Sequence, residues 1–479
     1  MNTIIRFIYI SIVIIILAGS TLAAARVQAI PTVSGPTRVS VASDGTQADD
    51  ISDSPDVSAD GRYVAFHSLA TNLVEGDTND AQDVFVHDRQ TGVTTLASVA
   101  SDGTLGNGVS GITSISADGR YVAFYSWATN LVADDTNYSC DTDFDGDYDD
   151  NCRDVFVHDM QTGETTMISR ASDGTQANSH STYPAISADG RYVAFSSDAS
   201  NLVAGDTNGL FDIFVHDRNT GISSCVSVSS SGTQGNGNSA VPSISATGRY
   251  VVFHSYASDL VEGDTNNFCD NDSDGDYDDN CRDVFLRDQQ YSVTIRISMT
   301  DDGIEGNGYS EGARISADGR FVAYSSSATN LVEGDINGYR DIFVYNLTTH
   351  VTTMVSVASD GTQGNYWSDW PSISADGSRV VFGSGATTLV PRDFNGYWDV
   401  YLYEMATGKT TMVSRTGDGS QGNHHSWVPI ISGDGNYAVY VSWASNLVPD
   451  DTNEVRDILV QDLNDLWSGM MVNLPLVVK

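Results

Sequence analysis

Apolar and polar positions in this chain alternate in short bursts separated by Gly, Asp and Asn. Tyr192 to Ser197 and Ile213 to Asp217 are such bursts; a Thr-Gly pair follows the second, and another burst begins beyond it. Period-two patterning of this length predicts β-strands, not helices. An Asp-Gly pair between two apolar bursts is a hairpin signal. Four bursts make one unit. Strand A ends at an Ala-Asp-Gly turn, as in PAIS before Ala188. Strand B reads RYVAFSS and strand C DIFVHD. Strand D follows the Thr-Gly turn and reads TTMVSVAS in its clearest copy.

The unit recurs. Asp60 of the first turn returns as Asp118, Asp189, Thr247, Asp318, Asp376 and Asp434, at steps of 58, 71, 58, 71, 58 and 58 residues. Each long step contains an extra 13 residues, so units two and four carry the same insertion. A fixed period of this size marks stacked supersecondary units. Four strands alone cannot bury both faces, and closing a ring removes the exposed edges. The fold class predicted is therefore all-β: a seven-bladed β-propeller of four-stranded antiparallel blades. Thr37 to Ser43 matches strand D but precedes the first strand A, so this N-terminal strand is expected to complete the last blade. Met470 to Val478 is its rival for that slot.

SADGRYVAF followed by DIFVHDRNTG resembles the TolB-type propeller repeat, a relative of the WD-repeat propellers. The resemblance spans nearly all of residues 37–465 and implies a fold, not a function. The chain departs from TolB in its seven copies against six blades, in its longer connection from strand B to strand C, and in lacking a separate N-terminal domain of the TolB kind. TolB's partners are not carried over.

Residues 1–29 read as a secretory signal peptide: Arg6, an apolar run from Phe7 to Ala18, then Val27-Gln28-Ala29. Residues 30–36 read as a linker, 37–465 as the propeller and 466–479 as a C-terminal tail. Nothing after the signal is apolar enough to cross a bilayer. The full chain has a formal net charge of −40, and removing residues 1–29 takes away two arginines and no acids. Such a chain repels nucleic acid and anionic membranes and attracts cations. A secreted protein is expected, extracellular, at the cell surface or periplasmic, and monomeric.

Charge concentrates in the two insertions. The first is CDTDFDGDYDDNC, from Cys140 to Cys152. It presents Asp141, Asp143, Asp145, Asp147 and Asp149 in alternation, with Asp150 beside them. The second, from Cys269 to Cys281, presents Asp270, Asp272, Asp274, Asp276, Asp278 and Asp279. Alternating hard oxygen ligands around a central Gly suit Ca²⁺, and so many carboxylates in one loop repel unless a cation neutralises them. The order resembles the first half of an EF-hand loop and, with the following DDNC, a thrombospondin type 3 repeat. The EF-hand's bidentate Glu at position twelve is absent, so the geometry must differ. Cys140 with Cys152, and Cys269 with Cys281, are expected to close these loops as disulfides in an oxidising compartment, each worth roughly 3 kcal/mol by chain entropy. The spacing is wrong for zinc. Cys225, the odd cysteine, reads as a buried free thiol packing as a small apolar residue.

Every unit also carries Asp-x-Asn before strand C, as in Asp206, Asn208 and then Asp212. This resembles a shortened calcium loop of integrin-type propellers without its Asp-Gly, and Asp154 and Asp283 are candidates to join such a site. Local Asp and Asn turns account for a position wanted seven times. The connections from D to A and from B to C lie on the same side of the disc and vary among copies, which is where function concentrates. There the later units carry Trp367, Trp370, Trp398, His424, His425 and Trp427, with Tyr309, Tyr339, Tyr366 and Tyr397. Rings beside carboxylates suit sugar stacking or protein docking; packing between blades is the alternative. Adjacent His424 and His425 are expected to point to opposite faces if they lie on a strand.

No catalytic constellation is legible: HExxH, a phosphate loop and the sialidase-type repeat are all absent. His87, His158 and His216 become Arg287, Tyr345, Tyr403 and Gln461 in other copies, which suggests a surface position. The expectation is a calcium-stabilised binding or scaffolding module for a protein or glycan. The alternatives are a lyase or glycosidase assembled from distant blades and a structural surface or matrix component.

Overall fold

The computed structural model describes residues 34–137, 140, 150–266, 269 and 280–468. Residues 1–33, where the signal peptide is expected, residues 138–139, 141–149, 267–268 and 270–279, and residues 469–479 lie outside the described residues. In the first blade, strand A is Ser52–Val57, B is Tyr63–Ser68, C is Asp83–Asp88 and D is Val93–Leu96. These pair antiparallel in chain order, and five more blades repeat the arrangement. The last blade takes Ser426–Ile431, Tyr437–Ser442 and Asp457–Asp462 from the C-terminal end and its fourth strand from Thr37–Arg38. Thr37 faces Val460 and Arg38 faces Leu459. The N-terminal strand thus closes the ring, with two residues in register. A single helical turn, Asp465–Ser468, follows the last strand.

The core lies between blades. Central positions of B and C are fully buried, and their rings stack pairwise: Phe66 on Phe85, Phe195 on Phe214 and Phe382 on Tyr401, with centroids 5.8–5.9 Å apart. The alternation that faces one side of each blade to its neighbour fills the wedge between them.

The tight A–B turns do more than reverse the chain. Their backbones form a circle of hydrogen bonds from blade to blade. The N–H of Ala59 donates to Ala117 O, Ala117 to Ala188, Ala188 to Ala246 and Ala246 to Ala317. Asp318 donates to Ala375, Ala375 to Gly433, and Asp434 returns to Ala59. The turn glycine is fixed twice. Gly190 has φ +72°, and a Cβ there would lie 2.1 Å from Tyr121 of the preceding blade.

His87, His158 and His216 are buried, contrary to the surface position expected from their variability. The cause is the outer strand. His87 Nδ1 meets Thr94 Oγ1 at 2.9 Å, and Thr94 N–H donates to Ser43 Oγ of the preceding D–A corner at 3.0 Å. The same latch joins Ser101 to Thr165 and Ser172 to Ser223. Six of the seven D strands are therefore latched to their neighbour, and the residue beneath is enclosed.

Candidate ligand face and channel

The D–A and B–C connections share one face, and Asn72 ties them: its Nδ2 donates to Gln47 O at 2.9 Å and its Oδ1 accepts from Asp49 N–H at 3.1 Å. On this face every strand A bulges. Ser54 and Pro55 stand against a single residue of strand B, between the pairs Asp53–His67 and Asp56–Ala65. The first bulge residue has positive φ in all seven blades: Ser54, Ile112, Tyr183, Val241, Gly312, Trp370 and Val428. Only one is glycine, and Ile112, Val241 and Val428 are β-branched, for which this conformation is an outlier costing about 1–3 kcal/mol. Ile112, Tyr183 and Val241 line the central channel, a cavity of about 200 Å³. Asp56 of blade one and Arg314 of blade five also line the channel. Asp56 accepts from Ile115 N–H at 2.8 Å and Val57 N–H at 2.9 Å. Burial pushes its carboxyl up, while those hydrogen bonds and the Arg314 charge pull it back.

The aromatic residues of the later blades come together as one arc. Trp370 packs on Trp398 at 5.1 Å, and Tyr366 lies between Tyr339 at 5.5 Å and Trp367 at 6.0 Å. These rings settle on bare backbone: Gly383 of strand B and Gly385 just beyond its end stand beneath Trp370, Trp398 and Tyr366. Across the next junction Tyr397 stacks on His424 at 5.0 Å, His425 meets Trp427 at 5.8 Å, and His424 meets Trp443 at 5.7 Å. Trp398 N–H donates to His425 Nδ1 at 2.9 Å and links the two groups. The rings pack on each other and still reach solvent: Trp367 is 53% exposed and Trp370 40%.

His424 and His425 are neighbours in space, not splayed, with centroids 5.0 Å apart. They precede strand A, so strand alternation does not govern them. His424 Nδ1 accepts from His425 N–H and His425 Nδ1 from Trp398 N–H. Each ring keeps only Nε2 for anything else.

Beside the arc runs a chain of charges: Arg282 pairs with Glu311, Arg340 with Glu311 and Asp369, the last two at 2.6 Å. Arg456 pairs with Asp53, and Arg153 lies over Trp127 at 5.2 Å. Four arginines thus occupy one repeat position, just before strand C, in a chain with only 23 Lys and Arg. Their shared position is visible in the repeat alignment; that Arg282, Arg340 and Arg456 reach carboxylates on strand A of the next blade follows only from the closed ring.

Both expected disulfides form, Cys140–Cys152 and Cys269–Cys281, with Cα atoms 5.2 and 5.1 Å apart. Such bonds fit an oxidising compartment. Of the proposed calcium ligands only Asp150 is described, and its backbone pairs with Cys140; the other eleven aspartates lie outside the described residues. The His180 ring lies near the first disulfide, but oxidised sulfurs are not metal ligands. Cys225 is partly buried against Ser227 at 3.5 Å, and burial pushes its thiol up to about 12, so it stays protonated and unreactive.

The Asp-x-Asn positions build a buried box. In blade one Asn79 Nδ2 donates to Asp83 Oδ2 at 2.7 Å and to Gly106 O of the following D–A loop at 2.9 Å. Ser98 Oγ donates to Asp83 Oδ1 at 2.5 Å, and Val84 N–H donates to Ser98 Oγ at 3.0 Å. Asp154 and Asp283 hold the same place in the inserted blades, bound by Asn137 and Ser169 and by Asn266 and Ser298.

No family model matches the sequence, and no curated protein matches it. Solved structures do resemble it. An oligogalacturonate lyase in complex with manganese is 14% identical over 86% of this chain and 89% of that one, with a TM-score of 0.48. TolB from Acinetobacter baumannii is 15% identical over 84% and 82%, with a TM-score of 0.37. The β-propeller domain of the Trilobed protease from Pyrococcus furiosus is 10% identical over 86% and 95%, with a TM-score of 0.48. The chain is a seven-bladed β-propeller with TolB among its structural neighbours. Among the described residues no helix is long and apolar enough to cross a membrane.

Proposed function

We propose that this protein is a secreted binding module that holds a glycan on its loop face over blades five to seven. The exposed aromatic arc beside the Arg282–Glu311–Arg340–Asp369 chain carries the reading. Sugar rings stack their C–H faces on indole and phenol while flanking charged groups bond the hydroxyls. The rings are preorganised by packing on one another, so binding costs little side-chain entropy. The closed ring and disulfides suit a module working outside the cell.

A glycan panel incubated with the pure protein tests this. Retention of at least one glycan, weakened tenfold or more by Trp367→Ala with Trp370→Ala, is the expected result. Retention unchanged by those substitutions would remove the arc from the site. Shortened products in the same incubation would turn the reading toward a lyase or glycosidase.

A further inference from the structure

The buried box contains a second carboxylate in every blade, six residues before the first where there is no insertion: Asp77 with Asp83, Asp335 with Asp341, Asp451 with Asp457. In most blades the chain itself supplies a donor. Arg38 lies between Asp451 Oδ1 at 3.1 Å and Asp457 Oδ2 at 3.0 Å. Arg296 holds the matching place in blade four, 3.4 Å from Asp264 and 4.0 Å from Asp283. Gln176 Nε2 spans Asp135 Oδ1 at 2.7 Å and Asp154 Oδ2 at 2.9 Å. Gln421 Nε2 donates to Asp393 Oδ1 at 3.0 Å, and Gln234 reaches Asp212 at 3.5 Å.

Blades one and five break the pattern. The residue at the arginine position is Leu96 in one and Met354 in the other, and the glutamine position is Leu105 in blade one. In blade five Gln363 Nε2 turns away to Gly334 O at 3.0 Å. Among the described residues, Asp77 Oδ1 and Asp335 Oδ1 are buried with no hydrogen-bond partner, in residues 9% and 8% exposed. These are the atoms equivalent to the Asp451 oxygen that Arg38 touches. The inner carboxylates, Asp83 and Asp341, are fully buried. Two buried carboxylates without a compensating cation are costly, and the same slot in two sister blades holds a positive charge.

We infer that the carboxylate pairs Asp77–Asp83 and Asp335–Asp341 each bind a hard divalent cation of the Ca²⁺ class, in the slot that Arg38 and Arg296 fill in blades seven and four. Two carboxylates balance one divalent charge, and their oxygens are the ligand type such an ion takes. These sites lie on the ring scaffold, apart from the disulfide-closed insertions; the blade-five pair brackets Tyr339 and Arg340 at the edge of the aromatic arc.

The sister blades supply the test. Wild-type protein and the Leu96→Arg, Met354→Arg double variant are stripped with chelator, reloaded with Ca²⁺ and dialysed, and bound calcium per chain is counted by elemental analysis. Two fewer ions in the variant is the expected result, whatever the insertions bind. Equal counts in a folded variant overturn the inference. If the arginines prevent folding, the Asp77→Asn, Asp335→Asn pair replaces them, with the same loss of two expected and an unchanged count again fatal. The converse change, Arg38→Met with Gln47→Leu to match blade one, should add one ion.

Discussion

His254 shows how a single side chain gives this ring a pH dependence. It is buried on strand B with Nδ1 unpartnered among the described residues, and burial, then the Arg282 charge, holds its ring down to about 3. His67, at the same position in blade one, is held down to about 4 by burial and Arg456, with Asp53 opposing. A histidine depressed in the fold is neutral there and charges more readily when unfolded. Its contribution is therefore whole above the ordinary value of 6.5 and is lost as pH falls toward 4, by roughly 3 kcal/mol per residue at most. The buried box aspartates act in the opposite sense: burial raises Asp399 to about 7, so its protonated form favours the fold at low pH and that support fades as pH rises through 7. The two effects separate in a variant. Replacing His67 and His254 by Ser, the residue of blades three and five at this position, should leave the Tm at pH 8 within a few degrees. It should flatten the fall between pH 6.5 and 4. Parallel Tm curves for variant and wild type would show that neither histidine is responsible.

At the scale of the element, the two-residue strand Thr37–Arg38 has an effect beyond its length. It caps the strand Asp457–Asp462, whose edge would otherwise be open. It carries Arg38 into the Asp451–Asp457 pair, and Ser40 Oγ beside it donates to Asp457 at 2.6 Å. A chain beginning after Ser40 should lose on the order of 3–5 kcal/mol, the cost of stranding a buried charge, and should associate through the bare edge. Thermal unfolding and size-exclusion chromatography check both; an unshifted, monomeric variant would mean that another segment closes the ring. This strand was legible because Thr37 to Ser43 repeats strand D out of place. The blade count, the loop faces and the disulfide pairs were legible for the same reason, since each is a property of the repeat. Other features were not. The bulge at Ser54 and its six counterparts depends on two strands being compared residue by residue. The burial of His87 depends on a neighbour's latch. The neutralisation of Asp451 depends on Arg38, at the far end of the chain. Aromatics and glycines cooperate likewise: Gly383 looks like a gap in strand B until Trp370 is seen resting on it.

The whole molecule carries 63 acidic and 23 basic side chains, and this imbalance sets how cations act on it. Self-repulsion destabilises a compact acidic chain, so any salt should raise the Tm by screening. Specific binding adds a term that grows with ligand concentration over Kd, about 2.7 kcal/mol at a hundredfold excess. The two are told apart at matched ionic strength. Millimolar Ca²⁺ should raise the Tm of the chelator-treated protein well above the shift given by NaCl or Mg²⁺. Changing Asp145 and Asp274 to Ala should remove the part owed to the insertions and leave the part owed to blades one and five. The disulfides decide how far the insertions matter. Cys140–Cys152 and Cys269–Cys281 fasten the ends of each insertion beside strand C, so an ion gathered there would hold a loop already closed and its stabilisation would pass directly to the blade. Reduction with dithiothreitol should then lower the Tm by several degrees in Ca²⁺ and shrink the calcium-dependent shift. A Ca²⁺ effect equal to that of NaCl at the same ionic strength would leave screening as the whole explanation.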